Sequence, residues 1–80
     1  MKARVHVTLK PGVLDPQGKA IHHALSQLGY QGVDNVRAGK MFELEVAESD
    51  PEKAREQIDR MCRDLLANTV IETYDIELSA

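Results

Sequence analysis

The chain has 80 residues and a formal net charge of −3, from 13 acidic and 10 basic side chains. This acidic balance argues against nucleic acid as the main partner, and the length leaves room for a single domain, residues 1–80. A domain of this size buries only roughly 60–65% of its unfolded surface, so the isolated monomer is expected to be marginally stable.

Targeting signals are not predicted. The first 25 residues alternate apolar with basic and polar side chains, which argues against a signal peptide or a membrane span within them. The single cysteine, Cys62, has no partner for an internal disulfide. Both features predict a cytoplasmic protein that does not enter membranes.

The first predicted element is a strand. Its apolar residues alternate with polar ones; they are Ala3, Val5, Val7 and Leu9. A period of two with one apolar face predicts a strand whose other face lies in water or against a partner.

The first predicted helix begins at Asp15-Pro16. Asp is a good N-cap, and Pro at the first helical position loses no hydrogen bond. The apolar residues that follow recur at helical spacing; they are Ala20, Ile21, Ala24, Leu25 and Leu28. Gly29 is well placed to end this helix in a left-handed conformation.

A hairpin is predicted next. It comprises a short strand around residues 33–37, a turn at Ala38-Gly39-Lys40, and a third strand. In the third strand Phe42, Leu44 and Val46 alternate with acidic residues, which predicts one exposed acidic face.

The second predicted helix begins at Asp50-Pro51 and runs to about Ala67. Its predicted buried stripe is Ala54, Ile58, Met61, Cys62, Leu65 and Leu66. Asp59 and Arg63 are spaced for an ion pair along the helix. The last predicted strand covers residues 70–78.

The two Asp-Pro pairs divide the chain into two strand–helix–strand halves. The predicted fold is therefore an α+β two-layer sandwich of order β-α-β-β-α-β, ferredoxin-like or a close variant. A small sheet of this kind has two edge strands with unpaired backbone groups. Pairing such edges across a twofold axis predicts a homodimer with an extended sheet.

Catalytic and metal-binding residues are not predicted. Cys62 lies late in the second helix and is interpreted as a small core side chain. The adjacent His22 and His23 point about 100° apart on a helix, so they cannot hold one metal ion together.

Two groups of residues remain as candidate docking or anion-binding sites. Arg37, the backbone at Gly39 and Lys40 place two cations around a turn, which can bind an anion or an acidic partner. An ordinary solvated hairpin explains the same residues equally well. Arg4 and His6, on the polar face of the first strand, form the second group, together with Glu43 and Glu45 on the third.

The sequence resembles the PurS subunit family of phosphoribosylformylglycinamidine synthase, an enzyme of purine biosynthesis. The matching stretches are residues 7–18, which include Lys10-Pro11-Gly12 and Asp15-Pro16, residues 36–40, and residues 62–68 and 70–72. They occur in order and cover nearly the whole chain.

The resemblance implies a subunit of an ATP-dependent carbon–nitrogen ligase that uses glutamine as amide donor. The overall reaction converts formylglycinamide ribonucleotide, ATP and glutamine to the amidine, ADP, phosphate and glutamate. ATP and Mg²⁺ belong to a large synthetase subunit, and a glutaminase subunit releases ammonia. The PurS-like chain is implied to supply no catalytic residue and no cofactor. It forms a homodimer, with a tetramer as a further option in isolation, and bridges the other two subunits.

Other functions of the same topology remain as alternatives. An amino-acid-binding regulatory domain of the ACT type also dimerises, and Pro11-Gly12 could serve as its ligand loop. An acylphosphatase-like enzyme needs a glycine-rich phosphate loop that the sequence lacks. An RNA-binding module needs aromatic residues on its central strands, where only Phe42 is present.

Overall fold

Three antiparallel strands and two helices make up residues 1–79, the part of the chain that the computed structural model describes. The elements in chain order are β1 Lys2–Leu9, α1 Pro16–Gln27, β2 Gly39–Glu45, α2 Pro51–Met61 with a π turn at Cys62–Leu66, and β3 Glu72–Ser79. The strand order is β2-β1-β3, with β1 antiparallel to both neighbours. The predicted α+β class is confirmed, as β-α-β-α-β.

The strand predicted around residues 33–37 is not formed, so the sheet has three strands rather than four. The backbone of this segment bonds to the first helix instead. His22 Nε2 donates to the carbonyl of Val33 at 2.7 Å, and the Ala38 amide donates to the Asp15 carboxylate at 2.7 Å. The segment therefore returns alongside α1 and has no strand beside it.

The core lies between one face of the sheet and α2. Val5 and Val7 of the central strand meet Ile58 and Cys62 of the helical segment, and all four side chains are buried. The flanking strands add half-buried side chains around this centre; they are Phe42, Leu44, Val46, Tyr74, Ile76 and Leu78. Alternation of apolar and polar residues thus predicts the buried face of every strand.

The buried stripe predicted for the second helix is correct except at Met61 and Leu65. Ala54, Ile58 and Cys62 are buried and Leu66 is half-buried against the core, whereas Met61 and Leu65 are exposed. For Leu65 the reason is the π turn, in which the Ala67 amide donates to the carbonyl of Cys62, five residues earlier. Because a π turn holds more residues per turn than an α-helix, the inward positions after Cys62 move along by one residue, to Leu66 and the buried Ala67.

The predicted helix boundaries are confirmed by their caps. The Asp15 carboxylate accepts from the Gly18 amide at 2.8 Å, and the Asp50 carboxylate accepts from the Glu52 amide at 3.0 Å. Gly29, at φ +96°, takes the left-handed conformation just after α1. Both helices therefore begin, and α1 also ends, where the local sequence indicates, whereas the α-helical part of the second helix ends at Met61, before the predicted end near Ala67.

Residues 10–38 form an arm that comprises α1 and the returning segment. α2 packs against β3, whereas α1 does not pack against any strand to a similar extent. No residue of the arm belongs to the hydrophobic core. The radius of gyration is 16.0 Å, whereas a compact 80-residue domain has about 12 Å. The chain is accordingly long and flat, with extents of 48 × 26 × 15 Å.

The arm exposes the apolar stripe that was predicted for the first helix. Leu28 is 74% exposed, and Leu14, Ile21, Tyr30 and Val33 are exposed as well. Leu65 and Val70 add further exposed apolar surface near the start of β3. Exposed apolar patches of this kind mark surfaces that other proteins cover.

Candidate docking surfaces

The arm is fastened to the sheet at its base by Asp15. This residue is 7% exposed, and its carboxylate accepts hydrogen bonds from the amides of Gly18 and Ala38. The Arg37 Nε atom lies 3.9 Å from the same carboxylate. One side chain therefore joins the start of α1 to the end of the returning segment.

Arg37, a predicted docking residue, donates into its own chain. Its Nη2 atom lies 3.3 Å from the carbonyl of Leu9 and 3.2 Å from that of Lys10. With Asp15 beside it, the guanidinium links the end of β1 to the returning segment. Its side chain is still 37% exposed, so one side of the fork faces solvent.

Lys40 lies on the helix-facing side of β2. Its Nζ atom is 3.7 Å from the Glu72 carboxylate and 5.7 Å from the centre of the Phe42 ring. The Glu72 carboxylate also accepts from the Asn68 amide at 2.6 Å. The lysine thus connects the start of β2 with the start of β3 across the central strand.

Two glycines allow neighbouring backbone segments at this end of the sheet to approach each other closely. A Cβ atom on Gly18 would lie 2.2 Å from the carbonyl oxygen of Val36, and one on Gly39 would lie 2.8 Å from that of Val7. Both distances are below any van der Waals contact. Gly39 therefore serves strand packing, which is a simpler role than the predicted contribution to an anion site.

The structure brings Arg37, Gly39 and Lys40 together at one end of the sheet. A shallow cavity of about 220 Å³ lies there, lined by Asp15, Gly39, Lys40 and Glu72 among others. Each cation already faces a carboxylate, so the cavity is close to charge-balanced. A docking or anion-binding role for Arg37 and Lys40 stays a prediction.

Arg4 and His6 lie elsewhere, on the opposite face of the sheet. Arg4 Nε is 3.8 Å from Glu43, and His6 Nε2 is 3.4 Å from Glu77. In the strand register Arg4 stands between Glu43 and Glu77, and the side chains of all three are more than half exposed. This open face carries a basic central strand between two acidic strands, and its docking role also remains a prediction.

The outer side of α2 carries a short polar network. The Tyr74 hydroxyl donates to Asp59, which also pairs with Arg63, as the predicted helix spacing requires. The hydrogen bond to Asp59 raises the pKa of Tyr74. Burial and the nearby Asp59 raise the pKa of the Cys62 thiol, so it stays protonated in the core, as predicted for a structural cysteine.

Within residues 1–79 no three His, Cys, Asp or Glu side chains are grouped closely enough to hold a metal ion. No helix in this range is long and apolar enough to cross a bilayer.

Sequence reasoning missed the second role of Asp15 and the role of Arg55. Asp15 is readable as an N-cap, but its bond to Ala38 depends on how the arm closes. Gly18, early in a helix, was the available signal of a close backbone approach. Arg55 donates to the carbonyl of Ile76 on the β3 edge at 3.2 Å, and no sequence pattern indicates this contact.

Replacing Asp15 with asparagine is expected to lower the melting temperature at pH 7. An asparagine oxygen can accept from one of the two amides, but its NH₂ group opposes the other. We expect a loss of roughly 5–10 °C, the size produced when one buried amide loses its acceptor in a small domain. The matched control is Asp50→Asn, because the Asp50 cap is exposed and accepts a single helix amide.

The difference in melting temperature between wild type and Asp15→Asn is expected to depend on pH, in a direction set by the pKa of Asp15. The amides of Gly18 and Ala38 hold the pKa of the Asp15 carboxyl below its ordinary value of 3.8, with Arg37 acting in the same direction against burial. Stabilisation by a depressed carboxyl is complete above the unfolded pKa and is lost as the pH falls below 3.8 toward the folded value. Thermal melts of wild type and Asp15→Asn should converge in that acid range; a constant difference would contradict the assignment.

Comparison with known proteins identifies what the chain resembles. Residues 2–80 match the family model described as PurS, phosphoribosylformylglycinamidine (FGAM) synthase. A PurS subunit of this synthase from Synechocystis is 53% identical over 77 residues, which cover 96% of this chain and 77% of the relative. The corresponding Bacillus subtilis subunit is 48% identical, covering 96% and 90% of the two chains.

Solved structures give the same result for the fold. The crystal structure of B. subtilis PurS superposes with a TM-score of 0.89 at 47% identity, covering 99% of this chain and 98% of that one. A chain in the structure of PurLQS from Thermotoga maritima has a TM-score of 0.87 at 34% identity, with coverages of 95% and 93%. These relatives are described as synthase subunits and not as amino-acid-binding regulatory domains.

Proposed function

Because this chain belongs to the PurS family of FGAM synthase subunits, we propose that it acts as a non-catalytic bridge in that enzyme. The bridge holds a glutaminase subunit and a large synthetase subunit together in the cytoplasm. A chain of the same fold occurs in the T. maritima PurLQS structure, which supports assembly with other subunits.

The proposed division of labour leaves bond chemistry to the partners. The glutaminase releases ammonia from glutamine, and the large subunit uses ATP and Mg²⁺ to activate the formamide oxygen of formylglycinamide ribonucleotide. Ammonia then replaces that oxygen to give the amidine, with ADP and phosphate as products. The present chain contributes surfaces that fix the distance and orientation of the two active sites.

A bridge matters because ammonia is lost easily to solvent. In bulk water at neutral pH most ammonia becomes ammonium, which has no free electron pair and is not a nucleophile. Enclosing the transfer within an assembled complex preserves both the local concentration and the neutral form. Holding two subunits together therefore raises the rate without a catalytic side chain in the bridge.

The observation that carries the proposal is the exposed arm. Residues 10–38 bury none of their large apolar side chains in the core of this chain, and Leu28, Leu14 and Tyr30 are each more than 60% exposed. A 16.0 Å radius of gyration shows that this surface stands away from the sheet. We infer that the apolar arm docks into the large subunit of the complex.

The bridge is proposed to be a homodimer. The sheet has two edge strands, β2 and β3, and pairing of edges between two copies adds buried surface to a chain with a small core. A symmetric dimer also presents every docking surface twice. Two copies can therefore contact two different subunits at once.

Reconstitution tests this function. FGAM formation is measured with the large subunit and the glutaminase, with and without this chain, first with glutamine and then with a high concentration of ammonium salt. Glutamine-driven synthesis is expected to fall by roughly tenfold or more when the chain is left out, since proximity of the two sites is lost. Ammonium-driven synthesis is expected to depend on the chain far less.

The ammonium reaction is the internal control, because it needs the synthetase but not the transfer of ammonia. Full glutamine-driven synthesis without the chain contradicts the bridge. Turnover of a substrate by the purified chain alone contradicts its non-catalytic character.

A further inference from the structure

The direction in which the arm leaves the sheet is not fixed by apolar packing. Both connections between α1 and the sheet, residues 10–15 and 28–38, are neither helix nor strand, and no arm residue lies in the hydrophobic core. Irregular backbone with few buried apolar contacts opens and bends more easily than a packed helix or strand. The angle between the arm and the sheet is therefore set by the polar contacts at the base of the arm.

The arm itself is held together as one piece. His22 on α1 is bonded to the carbonyl of Val33 at 2.7 Å. The backbone at Gly18 lies so close to the Val36 carbonyl oxygen that an added Cβ atom would be 2.2 Å from it. These contacts join the first two turns of α1 to the returning segment. A movement of the arm is consequently a tilt of the whole arm about its base.

Arg37 is the side chain that ties the arm to the sheet. Its Nη2 atom lies 3.3 Å from the carbonyl oxygen of Leu9, the last residue of β1, and 3.2 Å from that of Lys10. Its Nε atom lies 3.9 Å from the Asp15 carboxylate. A guanidinium can hold these three groups at once because its donors form a rigid planar fork. Among the described residues, no other arm side chain hydrogen-bonds to a strand residue.

The other contacts at the base have different roles. The Lys10 amide donates to the carbonyl of Ile71 at 2.8 Å, which joins backbone to backbone at the end of β1. The Asp15 carboxylate accepts from the Ala38 amide at 2.7 Å, which joins the two sides of the arm to each other. Asp15 thus closes the arm on itself, whereas Arg37 connects the closed arm to β1.

A small tilt at the base is amplified at the tip of the arm. α1 has 12 residues, which corresponds to a length of about 18 Å. A tilt of about 10° moves Leu28, just beyond its last turn, by about 3 Å. Leu28 is exposed and belongs to the apolar surface of the arm. A misplacement of about 1 Å at a reacting centre can lower a rate roughly a hundredfold, so the angle of the arm matters to ammonia transfer between docked subunits.

We propose that Arg37 is a positioning residue of the bridge: by holding β1 and Asp15 together it fixes the angle of the arm and thereby the alignment of the two partner active sites. Apolar docking of the arm brings the subunits together, and Arg37 determines how accurately ammonia released at one site meets the other. This inference rests on the bridging function proposed above. It gives Arg37 a role distinct from the direct docking contact predicted from the sequence.

Amide hydrogen exchange of the full chain tests the contact itself. Arg37→Gln removes the fork and its charge, and the fold should persist because Arg37 lies outside the core. The Ala38 amide is expected to exchange at least roughly fivefold faster in this variant, while the amides of α2 keep their wild-type rates. Lys40→Gln is the matched control for exchange, because Lys40 pairs with Glu72 within the sheet. Wild-type exchange at Ala38 in Arg37→Gln overturns the proposal.

The ratio of glutamate to FGAM tests the positioning role in the reconstituted enzyme. Wild type is expected to form close to one glutamate per FGAM, because nearly all ammonia is transferred. At a saturating concentration of Arg37→Gln the ratio is expected to rise at least roughly threefold, since a misaligned complex loses ammonia to solvent. A variant that only weakens assembly recovers the wild-type ratio in excess. Lys53→Gln is the charge control, because Lys53 is exposed on α2, away from the base of the arm.

Arg37→Lys separates geometry from charge. Lysine keeps the positive charge, but one ammonium group cannot reproduce the fork, so its ratio is expected to exceed that of wild type. A wild-type ratio in Arg37→Lys together with a raised ratio in Arg37→Gln overturns the positioning role in favour of a charge contact with a partner. If Arg37→Gln fails to fold by circular dichroism, Arg37→Lys decides.

Failure of this inference is distinct from failure of the bridge. A wild-type ratio at saturating Arg37→Gln overturns the positioning role, while glutamine-driven synthesis that requires the chain still supports the bridge. Full glutamine-driven synthesis without the chain overturns the bridge and the positioning role together.

Discussion

Replacing Ile58 with alanine is expected to lower the free energy of unfolding by about 2–5 kcal/mol. Ile58 is fully buried in α2, where it packs against the central strand, so its loss leaves a cavity in the middle of the core. Total stabilities of small domains are about 5–15 kcal/mol. In a domain with so few buried side chains the variant should be largely or partly unfolded at 37 °C. Urea denaturation followed by circular dichroism measures the loss.

Met61→Ala is the control for this variant. Met61 lies on the same helix and has a similar volume, but it is 38% exposed and outside the core cluster. Its replacement is expected to cost less than about 1 kcal/mol. Equal losses for the two variants would mean that the core does not lie where α2 meets the sheet.

The double variant Ile21→Asp, Leu28→Asp is expected to abolish most glutamine-driven synthesis and to spare the fold. Both residues are exposed on α1 and neither contacts the core, so the melting temperature should change little. The loss of one apolar anchor residue at a protein interface weakens the binding free energy by about 2 kcal/mol or more. Two carboxylates buried against the large subunit should therefore weaken assembly by roughly a thousandfold. Co-purification and the reconstituted assay measure this.

Gln17→Asp, Ser26→Asp adds the same two charges at polar, exposed positions of α1 and should leave assembly intact. The homodimer should persist in both double variants, because pairing of the sheet edges does not use the exposed face of α1. Loss of the dimer in Ile21→Asp, Leu28→Asp would show instead that the arm packs on the second copy. Unchanged assembly of Ile21→Asp, Leu28→Asp with the large subunit would contradict the docking role of the arm.

The sequence predicts local structure well where one rule decides the outcome. Alternation at Val5 and Val7 identifies the buried face of the central strand, and the Asp-Pro pairs give both helix starts. These features depend on neighbours along the chain. The π turn after Met61 is different, because a one-residue change of hydrogen bonding exposes Leu65 and turns Ala67 into the core.

The missing strand and the unpacked α1 have a common cause. An apolar stripe on a helix predicts that it is covered but does not say by which surface. Here α1 is exposed in its own chain, and the segment that was expected to form a strand bonds to α1 through His22 and Asp15. Local propensity for an extended backbone at residues 33–37 is satisfied without a neighbouring strand.

Charged side chains were the hardest to interpret. Arg37 and Lys40 were predicted as free cations on a turn, and each faces a carboxylate from a distant part of the chain, Asp15 and Glu72. Two cationic side chains on a turn suggested a binding role. The carboxylates that they face lie far away in the sequence, so these ion pairs become visible only in the folded structure. The same applies to Arg55, whose contact with the β3 edge depends on how α2 crosses the sheet.

The arm has a consequence for how this protein tolerates change. It leaves β1 and rejoins β2 at residues that face each other in the ladder, Thr8 and Gly39, so it is in effect a long insertion within a hairpin. A tight turn could connect the same two positions without disturbing the sheet or α2. Exposed positions of α1 are therefore expected to tolerate substitution without loss of the fold, whereas Asp15 at the base of the arm and the buried residues of the sheet and α2 are not.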